Sequence, residues 1–232
     1  MNGTLKKVLT WFVLPVIIVL LVIVNVASIK KPVTFKKETE ARKTVAIQQM
    51  KDIRTLEVAY KTAFGHYTAI ADSLIDFYNN GQMAIIMQVG SADDSAAVAH
   101  TDAVKKAARG KLTGEKLYEM YLKGDKNLVF SVENKIPVKD TLFASRTDFN
   151  INNIKYIPFS DGDTVIMEAI VKTVSGVQVP LFEAKMPYRS LLKGMDNQLR
   201  INLDAEQRNM NRYEGLQLGS ISAPNNNAGN WE

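Results

Sequence analysis

Glu168 and Glu183 are the two side chains that the residue order best positions for acid–base chemistry. They lie in β-rich runs, 164–174 and 177–185, joined by Ser175-Gly176, a two-residue connection of the kind that tight turns prefer. Closing that hairpin sets the two carboxyls on facing arms, and paired carboxylates can share and pass a proton. Two acids on the wet face of a sheet are the plainer expectation. His66 sits at a helix end and His100 in a polar stretch, and spacing fixes no partner for either. Neither a Gly-x-Ser-x-Gly elbow nor a phosphate-cradling glycine loop occurs. The chain holds no cysteine, which excludes disulfides, thiolate zinc sites, iron–sulfur ligation and cysteine nucleophiles together. Asp93-Asp94 lacks the oxygen-rich spacing of a calcium loop and reads as a solvated acidic turn. Between Lys116 and Lys123, tyrosines interleave with lysines, a pattern compatible with single-strand stacking but expected far more often of a solvated amphipathic helix. The expectation is a non-enzymatic chain with no cofactor, metal, nucleic acid or small-molecule substrate. An envelope enzyme stands as the alternative.

The elements that must carry these residues fall into an α+β pattern. Residues 8–29 separate Lys7 from Lys30 without a charge, and about 22 residues at ~1.5 Å each span the ~30 Å hydrocarbon layer of a bilayer. A single transmembrane helix follows, with Trp11 at the nearer interface, Pro15 near the helix end, Leu20 and Ile23 in the apolar middle, and Asn25 with Ser28 toward the farther interface. Lys6 and Lys7 before an apolar run also describe a secretory signal, with Val26-Ala27-Ser28 as its cleavage site, yet the apolar core exceeds the usual length. Lysines flank both sides, Lys30, Lys31, Lys36 and Lys37 among them, so charge counting favours a cytoplasmic body. The short basic head is the usual start of an inside-to-outside anchor, and a single-pass inner-membrane protein with a periplasmic soluble domain is expected.

Lys31-Pro32 predicts a break, and helix resumes at Thr34 or Phe35. Ala46, Met50, Ile53, Leu56, Tyr60 and Phe64 then recur at three- and four-residue steps, with Lys, Glu, Arg and Gln opposite, and Gly65 supplies a left-handed stop. Such a stripe either faces the chain's own core or forms a seam with a second copy. Beyond it come a short helix at 72–78, a mostly buried strand at 82–89, and a mobile polar insertion at 91–124 with helices at 102–109 and 115–122. Strands follow at 128–132, 136–138 and 154–159, then the hairpin, with Pro180 placing its second arm at an edge or bulge. A helical turn at 188–193, a helix at 204–212, a strand at 216–221 and a loose asparagine-rich tail complete the chain. The domain plan is an anchor (1–31), an amphipathic stalk helix (32–65), an α+β head (66–221) and a flexible tail (222–232).

The run Leu56-Glu57-Val58-Ala59-Tyr60-Lys61-Thr62-Ala63-Phe64-Gly65-His66-Tyr67, with Ser73-Leu74 after it, resembles the helix-end pattern of type IV pilins and type II secretion pseudopilins. The resemblance covers roughly residues 8–81. It implies an apolar N-terminal helix that continues into an amphipathic one, lies against a mainly antiparallel β-sheet head and packs with other copies. No Gly-Phe-Thr-Leu-x-Glu leader is present, so the resemblance assigns neither a processing site nor a buried glutamate here. The general look of the chain, including Asn225-Asn226-Asn227 and Trp231, also resembles envelope proteins of the Bacteroidota. Expected partners are the lipid bilayer and other envelope proteins or further copies of the chain. A membrane-tethered adaptor facing the cytoplasm is the alternative reading.

Overall fold

The computed structural model describes Trp11 and residues 13–232, so the start of the expected anchor, residues 1–10 and 12, lies outside the described residues. The first element described in full is one helix, α1 (Leu14–Phe64), of 51 residues. Helix continues through Pro32, against the expected break. A proline removes a single intrahelical donor, here the one that would reach the carbonyl of Ser28, and the intact turns on either side hold the axis together. At the far end Gly65 has φ 81°, and its N–H donates to the Lys61 carbonyl at 2.7 Å, which stops the helix as expected.

The chain groups into two compact units, one made of the chain up to Arg54 with Asn153–Glu232, the other of Thr55–Asn152. Their boundaries fall inside α1, between Arg54 and Thr55, and between Asn152 and Asn153.

In the first unit, β3 (Ile166–Val174), β4 (Val177–Pro187) and β5 (Gly215–Gly219) form an antiparallel sheet in the order β3-β4-β5. Val174 faces Val177 across Ser175 (φ 50°) and Gly176 (φ 83°). Two successive left-handed residues match the right-handed twist of the arms, which is the hairpin the sequence predicts. Only Glu183–Pro187 of β4 pairs with β5, so Pro180, opposite Val171, lies where one side of the strand has no ladder to break. Phe182, Ala184 and Met186 are buried from β4, Leu216 and Leu218 from β5, and Ala46, Met50 and Ile53 from α1. After β4 come α6 (Tyr188–Leu191) and, beyond Gly194, α7 (Asn197–Asn209). The latter begins earlier than the expected 204–212 because Asp196 caps it, accepting from the Leu199 N–H at 3.0 Å.

Two expectations for this unit are corrected. Residues 154–159 do not form a strand: only Tyr156 makes an isolated bridge, to Thr164. The side-chain amide of Gln49 on α1 donates to the carbonyls of Asn153, Ile154 and Tyr156, backbone bonds from Ile157 N–H to Asp163 O and from Val165 N–H to Lys155 O hold the single bridge, and Phe159 turns left-handed at φ 62°, so pairing stops after one bridge. The C-terminal tail is not loose. Gly229 bridges to Leu218, the Asn230 N–H donates to the Gln217 carbonyl, the Asn230 amide donates to Gly215 O, and Glu232 pairs with Arg54 at 2.7 Å. Asparagine amides replaced the apolar contacts that the tail lacks, and Trp231 is half-buried over Gly229, whose missing Cβ makes room for the ring.

In the second unit the last turns of α1 are followed by α2 (Ala71–Asn80), and β1 (Gln82–Val89) pairs antiparallel with β2 (Phe130–Pro137) along its whole length. The strands expected at 128–132 and 136–138 are therefore one, ended by Pro137 and followed by the short α5 (Val138–Thr141). β1 was expected to be mostly buried, but Ile86 is 68% exposed, because a two-stranded sheet leaves β1 at an edge. The polar insertion folds as α3 (Ser95–Ala107) and α4 (Gly114–Leu122). Asp94 of the acidic turn is the cap of α3, accepting from the N–H groups of Ala96 and Ala97, which moves the helix start ahead of the expected residue 102. Leu117 on α4 packs with Leu128, Phe130 and Val132, joined by Val104, Leu112 and Tyr121, so the insertion carries a core of its own. The Thr101 hydroxyl also accepts from the Val129 N–H at 2.8 Å.

Candidate functional site

Three groups of residues stand out once the fold is set: the bare half of α1, the buried polar residue Glu57, and an arginine-lined cavity. From Leu14 to Thr34 every described side chain on α1 is exposed, including Pro15, Leu20 and Ile23, and Trp11 before it is 78% exposed. Asn25, the one amide in the run, donates to the Leu21 carbonyl at 2.8 Å and so satisfies a donor without outside help. Among the described residues this is one helix long and apolar enough to cross a membrane.

The stripe further along α1 behaves differently. Met50, Ile53 and Leu56 are wholly buried by the chain itself, which is the core-facing reading of the pattern. Tyr60 is half-buried and Phe64 is 55% exposed; their rings sit 4.5 Å apart, and Phe77 of α2 stands edge-on 5.4 Å from Tyr60. Of the five positions expected to form an interface, the first three are thus taken up internally, and Phe64 remains open.

Glu57 lies in the same stripe, four residues after Ile53, and is fully buried. Its Oε2 accepts from the Thr68 N–H at 3.1 Å, while Oε1 has no hydrogen-bond partner among the described residues. Burial pushes its pKa up to about 8, against the lowering pull of that N–H. The carboxyl is therefore mostly protonated at neutral pH. The signal in the sequence is a single acid, Glu57, set beside the apolar stripe of the helix.

Glu168 and Glu183 do face each other in the ladder, but Glu183 is buried rather than wet. Its Oε1 pairs with Lys185, and its Oε2 accepts from the Gln217 side-chain amide at 2.6 Å. Through the Gln217 bond Glu183 ties β4 to β5, and the Lys185 ammonium beside it favours the ionised carboxylate over one that shares a proton with the exposed Glu168. The histidines are separate as well: His66 Nδ1 donates to the Tyr67 carbonyl at 3.0 Å, and His100 Nε2 pairs with the Asp125 carboxylate at 3.0 Å. Among the described residues no group of three His, Cys, Asp or Glu side chains could hold a metal ion.

In the first unit Arg189, Arg200, Arg212, Asp204, Tyr213 and Glu214 line a cavity of about 480 Å³ with Pro187. Arg200 is committed to Asp204 and Asn197, and Arg208 outside the cavity pairs with Glu214 at 3.3 Å. Burial raises the Asp204 and Tyr213 pKa values, opposed by Arg200 and Arg189 respectively. Guanidinium groups of this kind hold oxyanions by charge and forked hydrogen bonds but cannot move a proton near neutral pH. The residues come from α6, α7 and the segment before β5, so no local spacing revealed them. Comparison with known proteins finds no matching family model, no matching curated protein and no matching solved structure.

Proposed function

We propose that this chain is a membrane-anchored, non-enzymatic structural or interaction component of a cell-envelope assembly, pilin-like in layout. The apolar half of α1 is the anchor, held in the inner membrane as a single pass, with the folded units in the periplasm. The observation that carries this reading is that every described side chain of the apolar run from Leu14 to Ile29 is exposed on a continuous helix. Burying that surface in lipid removes the 14 apolar side chains of this run from water, each contributing on the order of 1 kcal/mol or more, a gain that no other described residue supplies. The pilin-like layout is supported by the passage of one helix from a bare apolar half to a half with a buried stripe, and by antiparallel sheets after it. Exposed residues of the strand edges, Ile86 on β1 and Val171 on β3, provide surface for partner proteins or further copies.

Carbonate extraction of membranes tests the anchor: the full chain is expected in the pellet, and recovery in the soluble fraction or a mature N-terminus near Ile29 would overturn the reading. A second reading, an adaptor facing the cytoplasm, is favoured by the exposed Lys30, Lys31, Lys36 and Lys37 that follow the apolar run. Because the chain has no cysteine, a single Ser145→Cys on an exposed turn reports orientation cleanly. Labelling by a membrane-impermeant maleimide in cells with a permeabilised outer layer is expected for the periplasmic reading. Labelling only after inner-membrane lysis would select the cytoplasmic one.

A further inference from the structure

Lys30 and Lys31 are the first charges after the apolar run, and with Thr34, Phe35 and Glu38 they form one face of α1. Opposite this face stands the turn Gly194-Met195-Asp196 between α6 and α7, and the two enclose a groove of about 340 Å³. The groove is built before any ligand arrives. Gly194 takes φ 82°, Asp196 Oδ1 is fixed by the Leu199 N–H, and Arg42, one turn further along α1, donates to the carbonyls of Leu191 (3.2 Å) and Lys193 (2.9 Å). Glu38 Oε1 in turn holds Arg42 at 2.8 Å. The ammonium groups of Lys30 and Lys31 form no hydrogen bond or ion pair with a described residue, and neither do the second carboxylate oxygens of Glu38 and Asp196.

Helix geometry fixes the depth of this groove, on the reading that α1 is anchored in lipid. From Lys30 to Phe35 the helix advances about 7.5 Å, close to the ~5–8 Å of headgroup region on each side of the hydrocarbon layer. The groove therefore opens at headgroup level. Its lining is balanced, with Lys30 and Lys31 against Glu38 and Asp196, so it complements a group carrying both signs better than an anion alone. Phe35, half-buried, and Met195 offer apolar contact beside the charges.

We propose that this groove holds the headgroup of a zwitterionic phospholipid of the phosphoethanolamine class, phosphate on Lys30 and Lys31 and amine toward Glu38 and Asp196. The site docks a lipid rather than a protein, and it fixes the height of the first unit above the bilayer.

Native mass spectrometry of the full chain released from micelles, with phosphatidylethanolamine, phosphatidylglycerol or phosphatidylcholine added at matched concentrations, tests it. One phosphatidylethanolamine is expected to be retained at about ten-fold lower lipid concentration than the other two, and Lys30→Gln with Lys31→Gln is expected to abolish that preference. Asp196→Asn, which keeps the cap, is expected to bring phosphatidylglycerol level with phosphatidylethanolamine. Equal retention of the three lipids by the unaltered chain, or a preference untouched by the lysine changes, would overturn the proposal. So would displacement of the lipid by inorganic phosphate as efficiently as by O-phosphoethanolamine, which would mark a site for free phosphate. Carbonate extraction of the same preparation separates the two readings: a chain that stays in the membrane without a lipid preference refutes the groove alone, and a chain that leaves it refutes the anchor.

Discussion

The two halves of α1 are made by the same backbone rule and solve opposite problems. From Leu14 to Ile29 the helix is almost wholly apolar and every described side chain is exposed, whereas beyond Glu38 the apolar residues Ala46, Met50, Ile53 and Leu56 fall on one stripe and are buried. The difference teaches that periodicity, more than hydrophobic content, reports whether a helix is meant for its own protein. An all-round apolar surface has no preferred inward face, so it suits a surrounding that is apolar in all directions. The ion pairs Arg42–Glu38 and Lys43–Glu40 mark the helix's return to water.

The sharpest way to break this contrast is to charge the bare half. Leu20→Asp with Ile23→Asp is expected to cost roughly 5–7 kcal/mol of membrane insertion, moving the chain to the soluble fraction while the thermal unfolding of the folded units is unchanged. Next, Ile53→Ala is expected to lower unfolding stability by about 2–5 kcal/mol in denaturant titration and leave membrane retention intact, the reverse pattern. The third effect is read only through pH and belongs to Glu57. Its native pKa of about 8 lies above its ordinary value of 4.5, so the native state binds the extra proton between those limits. Stability is expected to fall as pH rises from about 5 to 8, by at most ~1.4 kcal/mol per pH unit, and Glu57→Gln is expected to flatten that slope. A slope unchanged in the variant would place the titrating group elsewhere.

Local signals in the sequence were strong where a single element decides its own structure. The uncharged run, the three- and four-residue stripe, Gly65 and the Ser175-Gly176 turn each act through the backbone they belong to, and all were legible. Misreadings came where a distant side chain decides. Gln49 on α1 binds three carbonyls between residues 153 and 156, and the asparagines near the C-terminus bind β5 instead of dangling. Glu183 was expected on the wet face of the sheet, yet it is buried, paired with Lys185 and hydrogen-bonded by Gln217. Asp94 and Asp196 were visible as acids, but their capping role depends on where the following helix begins. The arginine cavity and the lysine groove are each assembled from separate elements, and composition carries no trace of such convergence.

The strap formed by Gly229 and Asn230 across Leu218 and Gln217 has a consequence for handling the protein. It occupies the outer rim of the last strand, the place where a neighbouring molecule would otherwise begin to stack. Shortening the chain before Asn225 uncovers that rim, and the trimmed product is expected to clump in solution even though its hairpin remains intact.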